Sequence, residues 1–259
     1  MPRLSRLSRS IAGRGALVTG AASGMGRATA HLFADEGAQV AVTDVGAEGV
    51  QRVVDEIRAA GGSANGWVMN VADDAEVARV VPEIATSFGR LDIVVNNAGI
   101  SRFAPIDHAD FVKNWNDSIS VLLTAHTRVI RAALPYLRKS DAARIVNIAS
   151  TEALGASKYG SPYTAAKTGV IGLTRSLAVE LGPERITVNC ICPGPIHTGM
   201  TQAIKDEHKA IFAKRRTALL RYGDPEEVAH GTLSFCLPAS QYITGAVLPV
   251  DGGLTIRNA

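Results

Sequence analysis

Short apolar runs alternate with longer stretches of helical periodicity from residue 15 almost to the end of the chain, and few folds accept that order. The apolar runs read as strands at Ala16–Thr19, Gln39–Thr43, Gly66–Met69, Leu91–Val95, Arg144–Ala149, Ile186–Ile191 and Ala246–Val250. Between them the spacing predicts helices over Gly24–Gly37, Ala47–Ala60, Asp73–Phe88, about Asp110 to Arg138, Pro162–Leu181 and Pro225–Leu237; Val50, Val53, Val54 and Ile57 show the three- and four-residue steps of a buried helical stripe. Strand–helix alternation of this kind makes parallel strands with crossover helices on both faces. The expected product is an α/β fold, one doubly wound parallel sheet of about seven strands without internal repeats. Ligands in such sheets sit at the carboxyl ends of the strands, near the point where strand order reverses. A polar segment, Thr198–Arg221, interrupts the pattern and reads as a mobile lid.

Charge and composition narrow the function classes. The formal net charge of +3 is local: Arg3, Arg6, Arg9 and Arg14 stand in a stretch without an acid, leaving 23 basic against 24 acidic side chains from residue 15 on. A near-neutral body argues against nucleic acid as a partner. The start, PRLSRLSRS, has transit-peptide composition but is short, so residues 1–12 are read as a flexible basic tail, residues 13–259 as one domain, and the location as cytoplasmic. No run is long and apolar enough to suit a membrane span. Cys190, Cys192 and Cys236 fit neither a disulfide framework nor a zinc site and read as buried thiols. The six histidines are scattered, with no H-E-x-x-H, so no metal is expected.

The first strand runs into Thr19-Gly20-Ala21-Ala22-Ser23-Gly24-Met25-Gly26. Gly20 permits a tight turn, Gly24 lets backbone approach a pyrophosphate, and Gly26 lets the next helix lie close on the sheet. The helix then presents free N–H groups and a partial positive charge to phosphate. Asp44 ends the second strand, 24 residues after Gly20. A carboxylate there accepts from both hydroxyls of an adenosine ribose and repels a 2′-phosphate. Neither Ser23 nor Val45 supplies a cation for such a phosphate, so the pattern favours NAD(H) over NADP(H).

Tyr163 and Lys167 are one helical turn apart and share a face. A phenol, whose ordinary pKa is about 10, holds its proton too tightly for chemistry at neutral pH, and a neighbouring ammonium is expected to lower that value. Tyr163 then serves as general base toward an alcohol or general acid toward a carbonyl. Ser150, at the end of the preceding strand, can hold the substrate oxygen; with no histidine near it in sequence, a nucleophilic triad has no support.

Together these residues resemble the short-chain dehydrogenase/reductases, a Rossmann-like family of about this length, from Gly15 to Gly253. The markers are the Thr19–Gly26 loop, Asn96-Asn97-Ala98-Gly99, Ser150, Tyr163 with Lys167, and Pro193-Gly194. The resemblance implies that Ser150, Tyr163 and Lys167 are catalytic and that Lys167 also binds the nicotinamide ribose. It implies that Gly20, Ser23, Gly24, Met25, Gly26 and Asp44 hold the adenosine diphosphate half of the cofactor, that Asn70 and Val71 flank the adenine, and that Asn97, Ala98 and Gly99 line its path. Pro193, Gly194, Ile196 and Thr198 would hold the carboxamide end. Thr198–Arg221 resembles the family's substrate lid; Arg221–Ala229 and Asp251-Gly252-Gly253 resemble its assembly region, and a homotetramer or dimer paired through the two longest helices is implied.

One position departs from the family. Its members carry an asparagine in the long helix seven residues after a tryptophan, where it helps fix a water behind the lysine. Counting from Trp115, with Pro135 keeping the register, that position holds Leu122. Asn116, six residues away, lies about 240° round the helix, leaving backbone carbonyls, Ser118 or Ser120 as substitutes. The reading is an NAD(H)-dependent alcohol dehydrogenase or carbonyl reductase acting on a small secondary alcohol or ketone, with a nucleotide-binding sensor or assembly protein of weak turnover as the alternative. Isomerase or dehydratase chemistry on the same scaffold comes third. Arg102, Glu152, Leu154 and Tyr159 are expected to line the substrate pocket. Six basic and two acidic residues between Lys205 and Arg221 fit an acidic substrate or carrier as well as they fit a solvated helix face.

Overall fold

A computed structural model describes Leu4 and residues 6–258. The seven strands are β1 (Gly15–Thr19), β2 (Gln39–Asp44), β3 (Ser63–Val68), β4 (Ile93–Asn96), β5 (Arg144–Ile148), β6 (Thr187–Pro193) and β7 (Val247–Val250). They form one parallel sheet in the order β3-β2-β1-β4-β5-β6-β7, as the alternation predicts. Alternate residues of each inner strand feed different cores. Ala16, Val18, Val40, Val42, Ile93 and Val95 face one helical layer, and Leu17, Ala41 and Val94 face the other. Strands buried on both faces have no polar side, which is why the sequence shows apolar runs there rather than alternation. β3 is the exception: an edge strand with half-exposed residues, it begins three residues earlier than its short apolar run implies.

The first layer holds α1 (Gly24–Asp35), α2 (Ala47–Ala59) and, entering later in the chain, α8 (Pro225–Cys236), contributing Phe33, Val53, Ile57 and Val228. The second holds α3 (Asp74–Phe88), α4 (Phe111–Ile119), α5 (Ala125–Leu137) and α6 (Ser161–Leu181). The expected long helix from Asp110 to Arg138 is real but not uniform. A π turn, Ser120–Thr124, joins α4 to α5, and the Ala125 N–H reaches back five residues to the Ser120 carbonyl. Such turns cluster at functional sites. Between β6 and α8, the expected lid segment is largely helical: a 3₁₀ turn at Gly199–Thr201 is followed by α7 (Asp206–Arg216), with Ala213 and Thr217 buried. Its acids Asp206 and Glu207 open α7 and its basic residues close it, matching the helix dipole, so polarity here marks a surface helix rather than a coil. The basic tail is also shorter than expected. Ile11 is fully buried in the first core, and the Ser8 carbonyl accepts from the Ala239 N–H at 2.8 Å. Residues 1–3 and 5 of that tail, and Ala259, lie outside the described residues. Among the described residues no helix is long and apolar enough to cross a membrane.

The amino ends of β1 and β4 are pinned together by Asp92, whose side chain is fully buried. It accepts from the Gly15 N–H at 2.9 Å, from Arg90 at 2.6 and 2.8 Å, and from the Ser140 hydroxyl. Burial works to raise its pKa, but the Arg90, Ser140 and Gly15 hydrogen bonds outweigh it and hold the carboxyl below its ordinary value. A depressed carboxylate stabilises the fold at and above its unfolded pKa, about 3.9, and that contribution fades as pH falls through the folded value. Asp92→Ala strands the buried Gly15 donor and takes from Arg90 its closest partner, and should cost about 3 kcal/mol at pH 7 in urea unfolding, less at pH 3.

Candidate active site

The loop after β1 meets the loop after β4 at the switch point of the sheet. Gly20 has φ +65°, and a Cβ on it would lie 2.7 Å from the Ala98 Cα; a Cβ on Gly26 would fall 2.2 Å from the Gly20 carbonyl oxygen. Asn97 closes this junction. Its Nδ2 donates to the Thr19 and Gly20 carbonyls at 2.8 and 3.1 Å, while the Thr19 hydroxyl accepts from the Asn97 and Ala98 N–H groups at 3.0 Å each. Ser23 sits at the N-cap of α1 without a side-chain cap bond, and the first turn carries no acid. The free N–H groups and positive end of the helix are therefore left for an anion.

A cavity of about 360 Å³ opens along this junction. Gly20, Ser23, Gly24, Met25, Asp44, Asn70, Val71, Asn97, Ala98, Gly99, Tyr163, Lys167 and Thr198 all line it. Gly26, Pro193, Gly194 and Ile196 do not; they support the wall from behind, Gly194 packed on the Asp251 backbone and Ile196 bridged to Gly223. At one end the Asp44 carboxylate accepts from the Ala22 N–H at 3.1 Å and the Val45 N–H at 2.7 Å. A carboxylate has about four acceptor sites, so two remain for a diol. Val45 is exposed beside it, and Arg52 reaches the loop from α2 to donate to the Ala22 carbonyl at 2.9 Å. The glycine turn, the uncapped helix and the Asp44 carboxylate along one cavity together fit a dinucleotide.

At the other end α6 brings Tyr163 and Lys167 onto one face. The Lys167 Nζ lies 5.8 Å from the Tyr163 ring centroid and donates to the Ile148 carbonyl at 2.7 Å. Burial lowers the Lys167 pKa to about 8. Burial also pushes the Tyr163 phenol above its ordinary value; the Ser150 hydroxyl works against this and Glu152 adds to it. The lowering expected from the lysine is thus not found in the isolated protein, where burial dominates and the group that opposes it is the Ser150 hydroxyl. Ser150, buried at the end of β5, caps a 3₁₀ turn, Thr151–Ala153, by accepting from the Glu152 N–H.

The four expected pocket residues do not line this cavity. Arg102 is half-exposed and 4.0 Å from Asp117, Leu154 and Tyr159 stand at the surface, and Glu152 ties down its own segment through Ser157 and Thr164. Phe103, which sequence reasoning misses, stacks on Tyr163 with centroids 5.9 Å apart and planes at 28°. A Cβ on Gly160 would sit 2.7 Å from the Phe103 Cε1, so a glycine three residues before Tyr163 was the available signal for a ring packed there.

Residues 20–255 match the family described as Enoyl-(Acyl carrier protein) reductase. The chain is 38% identical over 250 residues to the 3-oxoacyl-[acyl-carrier-protein] reductase FabG of Thermotoga maritima, covering 95% of this chain and 99% of the relative. It is 39% identical over 249 residues to the (2S)-[(R)-hydroxy(phenyl)methyl]succinyl-CoA dehydrogenase subunit BbsD of Thauera aromatica, covering 95% and 98%. The crystal structure of a dehydrogenase/reductase from Sinorhizobium meliloti 1021 superposes with a TM-score of 0.90 at 38% identity, over 97% of this chain and 98% of that one. Likeness of that extent, in sequence and in fold, establishes the kinship: the chain is an oxidoreductase that belongs to the short-chain dehydrogenase/reductase family.

Proposed function

We propose that this protein is an NAD(H)-dependent alcohol dehydrogenase or carbonyl reductase in which Tyr163 exchanges the proton. The observation that carries the reading is one continuous cleft with Asp44 at one end and Tyr163 and Lys167 at the other. The dinucleotide, when bound, supplies or accepts a hydride at its nicotinamide ring. Asp44 would take the adenosine ribose hydroxyls, and the uncapped start of α1 the pyrophosphate. Ser150 holds the substrate oxygen toward the Tyr163 hydroxyl. Tyr163 gives its proton to that oxygen in reduction and removes one in oxidation; the Lys167 ammonium offsets the phenolate charge. Phe103, stacked on Tyr163, offers an apolar wall on which a flat or aromatic substituent would rest. The relatives act, by their names, on a 3-oxoacyl carrier-protein thioester and on a phenyl-bearing hydroxy thioester, which makes thioester-linked ketones and secondary alcohols the first substrates to assay.

Asp44 generates the cofactor prediction. Calorimetric titration should show NADH binding at least about tenfold tighter than NADPH, or about 1.4 kcal/mol. Asp44→Ala combined with Val45→Arg should narrow or reverse that ratio, and tighter NADPH binding by the unmodified protein would refute the assignment.

Tyr163→Phe should keep NADH affinity within about twofold and lower turnover roughly 10²–10⁴-fold. Because burial raises the free phenol, kcat/KM for alcohol oxidation should go on climbing through the alkaline range, whereas ketone reduction should be favoured at lower pH. Tight NADH binding with no turnover across a broad carbonyl and alcohol panel would instead favour a sensor, the reading to which Leu122 points.

Assembly as a homotetramer, or failing that a dimer, through the α4–α5 and α6 faces belongs to the same proposal. Light scattering after size exclusion should give a multiple of 27.2 kDa, and the single-chain mass would contradict it.

A further inference from the structure

Leu122 is fully buried, lines the cleft, and sets its Cδ2 3.4 Å from where a Cβ on Gly99 would lie. It therefore fills the place of the family's asparagine without any hydrogen-bonding capacity. Of the two serines that could substitute, Ser120 is already approached by Arg128 at 3.5 Å, and the Ser118 hydroxyl is buried without a partner. Four residues beyond Leu122, on the first turn of α5, stands His126. It is 2% exposed, and neither its Nδ1 nor its Nε2 has a hydrogen-bond partner. The buried amides Asn96 and Asn147 are by contrast satisfied: Asn96 donates to Asn147 at 2.9 Å, and Asn147 to Thr174 at 3.0 Å. An apolar residue would occupy position 126 without stranding two ring nitrogens, and buried polar groups without partners are rare enough to require a cause.

The Lys167 ammonium is near enough for its charge to disfavour protonation of the His126 ring. α3, β4 and β5 pack against α5, α6 packs against the π turn that leads into it, and Lys167 is the charged group whose field is felt at the ring. Arg128, two residues on, turns instead to Asp74. Facing Lys167 from the remaining sides are the Cys190 and Cys192 thiols of β6 and Tyr163 of its own helix. The π turn brings this part of the helix close to α6: the Leu123 Cδ2 would lie 2.8 Å from a Cβ on Gly169, two residues after Lys167.

We propose that His126 is a positioning residue for Lys167, holding through one bridging water the ammonium that the family's asparagine serves from the position of Leu122. This rests on the assignment of Tyr163 and Lys167 as the proton-handling pair. The ring is a hydrogen-bond acceptor and not a proton carrier, for burial, and then the Lys167 charge, lower its pKa to about 3 and keep it neutral at working pH. A neutral acceptor favours the charged form of Lys167 and opposes the desolvation that lowers it to about 8. A retained ammonium in turn favours the Tyr163 phenolate. Removing the acceptor should therefore lower the Lys167 pKa and raise that of Tyr163.

The test compares His126→Val, which removes the acceptor, with His126→Gln, which keeps one. In the free protein, titration of ¹⁵N-labelled lysine, assigned with a Lys167→Met control, should give a Lys167 pKa lower by about one unit in His126→Val and restored in His126→Gln. With NAD and an active alcohol substrate, His126→Val should lose about tenfold in kcat, less than the ~10²–10⁴-fold worth of the proton donor itself, and the rising limb of its pH profile should move upward. NADH affinity should stay within about twofold of the unmodified protein. An unchanged lysine titration in His126→Val overturns the proposal, as does equal impairment of both variants with no movement in either pH curve. Should His126→Val fail to fold, the double variant Leu122→Asn/His126→Leu returns the polar group to its usual turn. Its Lys167 titration should match the unmodified protein, and a lowered value there overturns the proposal. Since the lysine titration needs no turnover, a failed assignment of the reaction and a failed role for His126 give different results.

Discussion

The approach of two backbones, at Gly20 after β1 and Ala98 after β4, underlies every other feature of the cleft. Strand order reverses between these neighbours, so their following chains leave to opposite faces and a crevice must open between them. A side chain at Gly20 would force them apart, since its Cβ would meet the Ala98 Cα at 2.7 Å. Asn97 and the Thr19 hydroxyl then satisfy the backbone groups that the divergence leaves unpaired. The glycine turn is thus held by β4 as much as by β1. α1 follows directly and is fixed at the depth Gly26 allows, with its free N–H groups turned to the crevice.

The proton-handling end is arranged by burial and works against it. Taking Tyr163 and Lys167 out of water disfavours the charged form of each: the phenol rises and the ammonium falls toward 8. Each shift on its own opposes the ionisation that proton exchange requires. What counters them is local: the Ser150 hydroxyl beside Tyr163, and the Cys190 and Cys192 sulfurs beside Lys167, whose ammonium also donates to the Ile148 carbonyl. The same low polarity strengthens any hydrogen bond that is made, so the few polar groups facing this corner carry unusual weight. Leu122 removes one of them, and His126 returns polarity one turn further along the same helix.

Much of this was legible in the chain. Apolar runs with no polar face mean strands covered on both sides, and Val50, Val53, Val54 and Ile57 do sit in the core at the helical spacing that marks them. Gly20 and Gly24 of the glycine loop, Asp44, Tyr163 and Lys167 each read as chemistry from residue type and local spacing, and all line one cleft. Elsewhere, local sequence was a poor proxy for neighbours. α7 resembles a coil because a surface helix with little apolar face has the composition of a loop. Ile11 looks like part of a basic tail, yet it completes a core built by residues far along the chain. Phe103, standing four residues beyond Gly99, gives no periodic signal and reaches Tyr163 only because Gly160 leaves room for its ring.

The sequence alone determined the fold class, the place of the crevice and the side chains that line it, because strand and helix periods, glycine turns and one-turn helix pairs are short-range properties. The tertiary structure alone decided the electrostatic state of those groups and the company they keep. Desolvation depends on what packs around a side chain from every direction, so the rise of Tyr163 could not be read from a neighbouring lysine. The proposed link between His126 and Lys167 is of the same kind. The two residues are 41 positions apart on different helices, and only the packing of the π-turned helix against α6 makes such a link conceivable for an unremarked histidine.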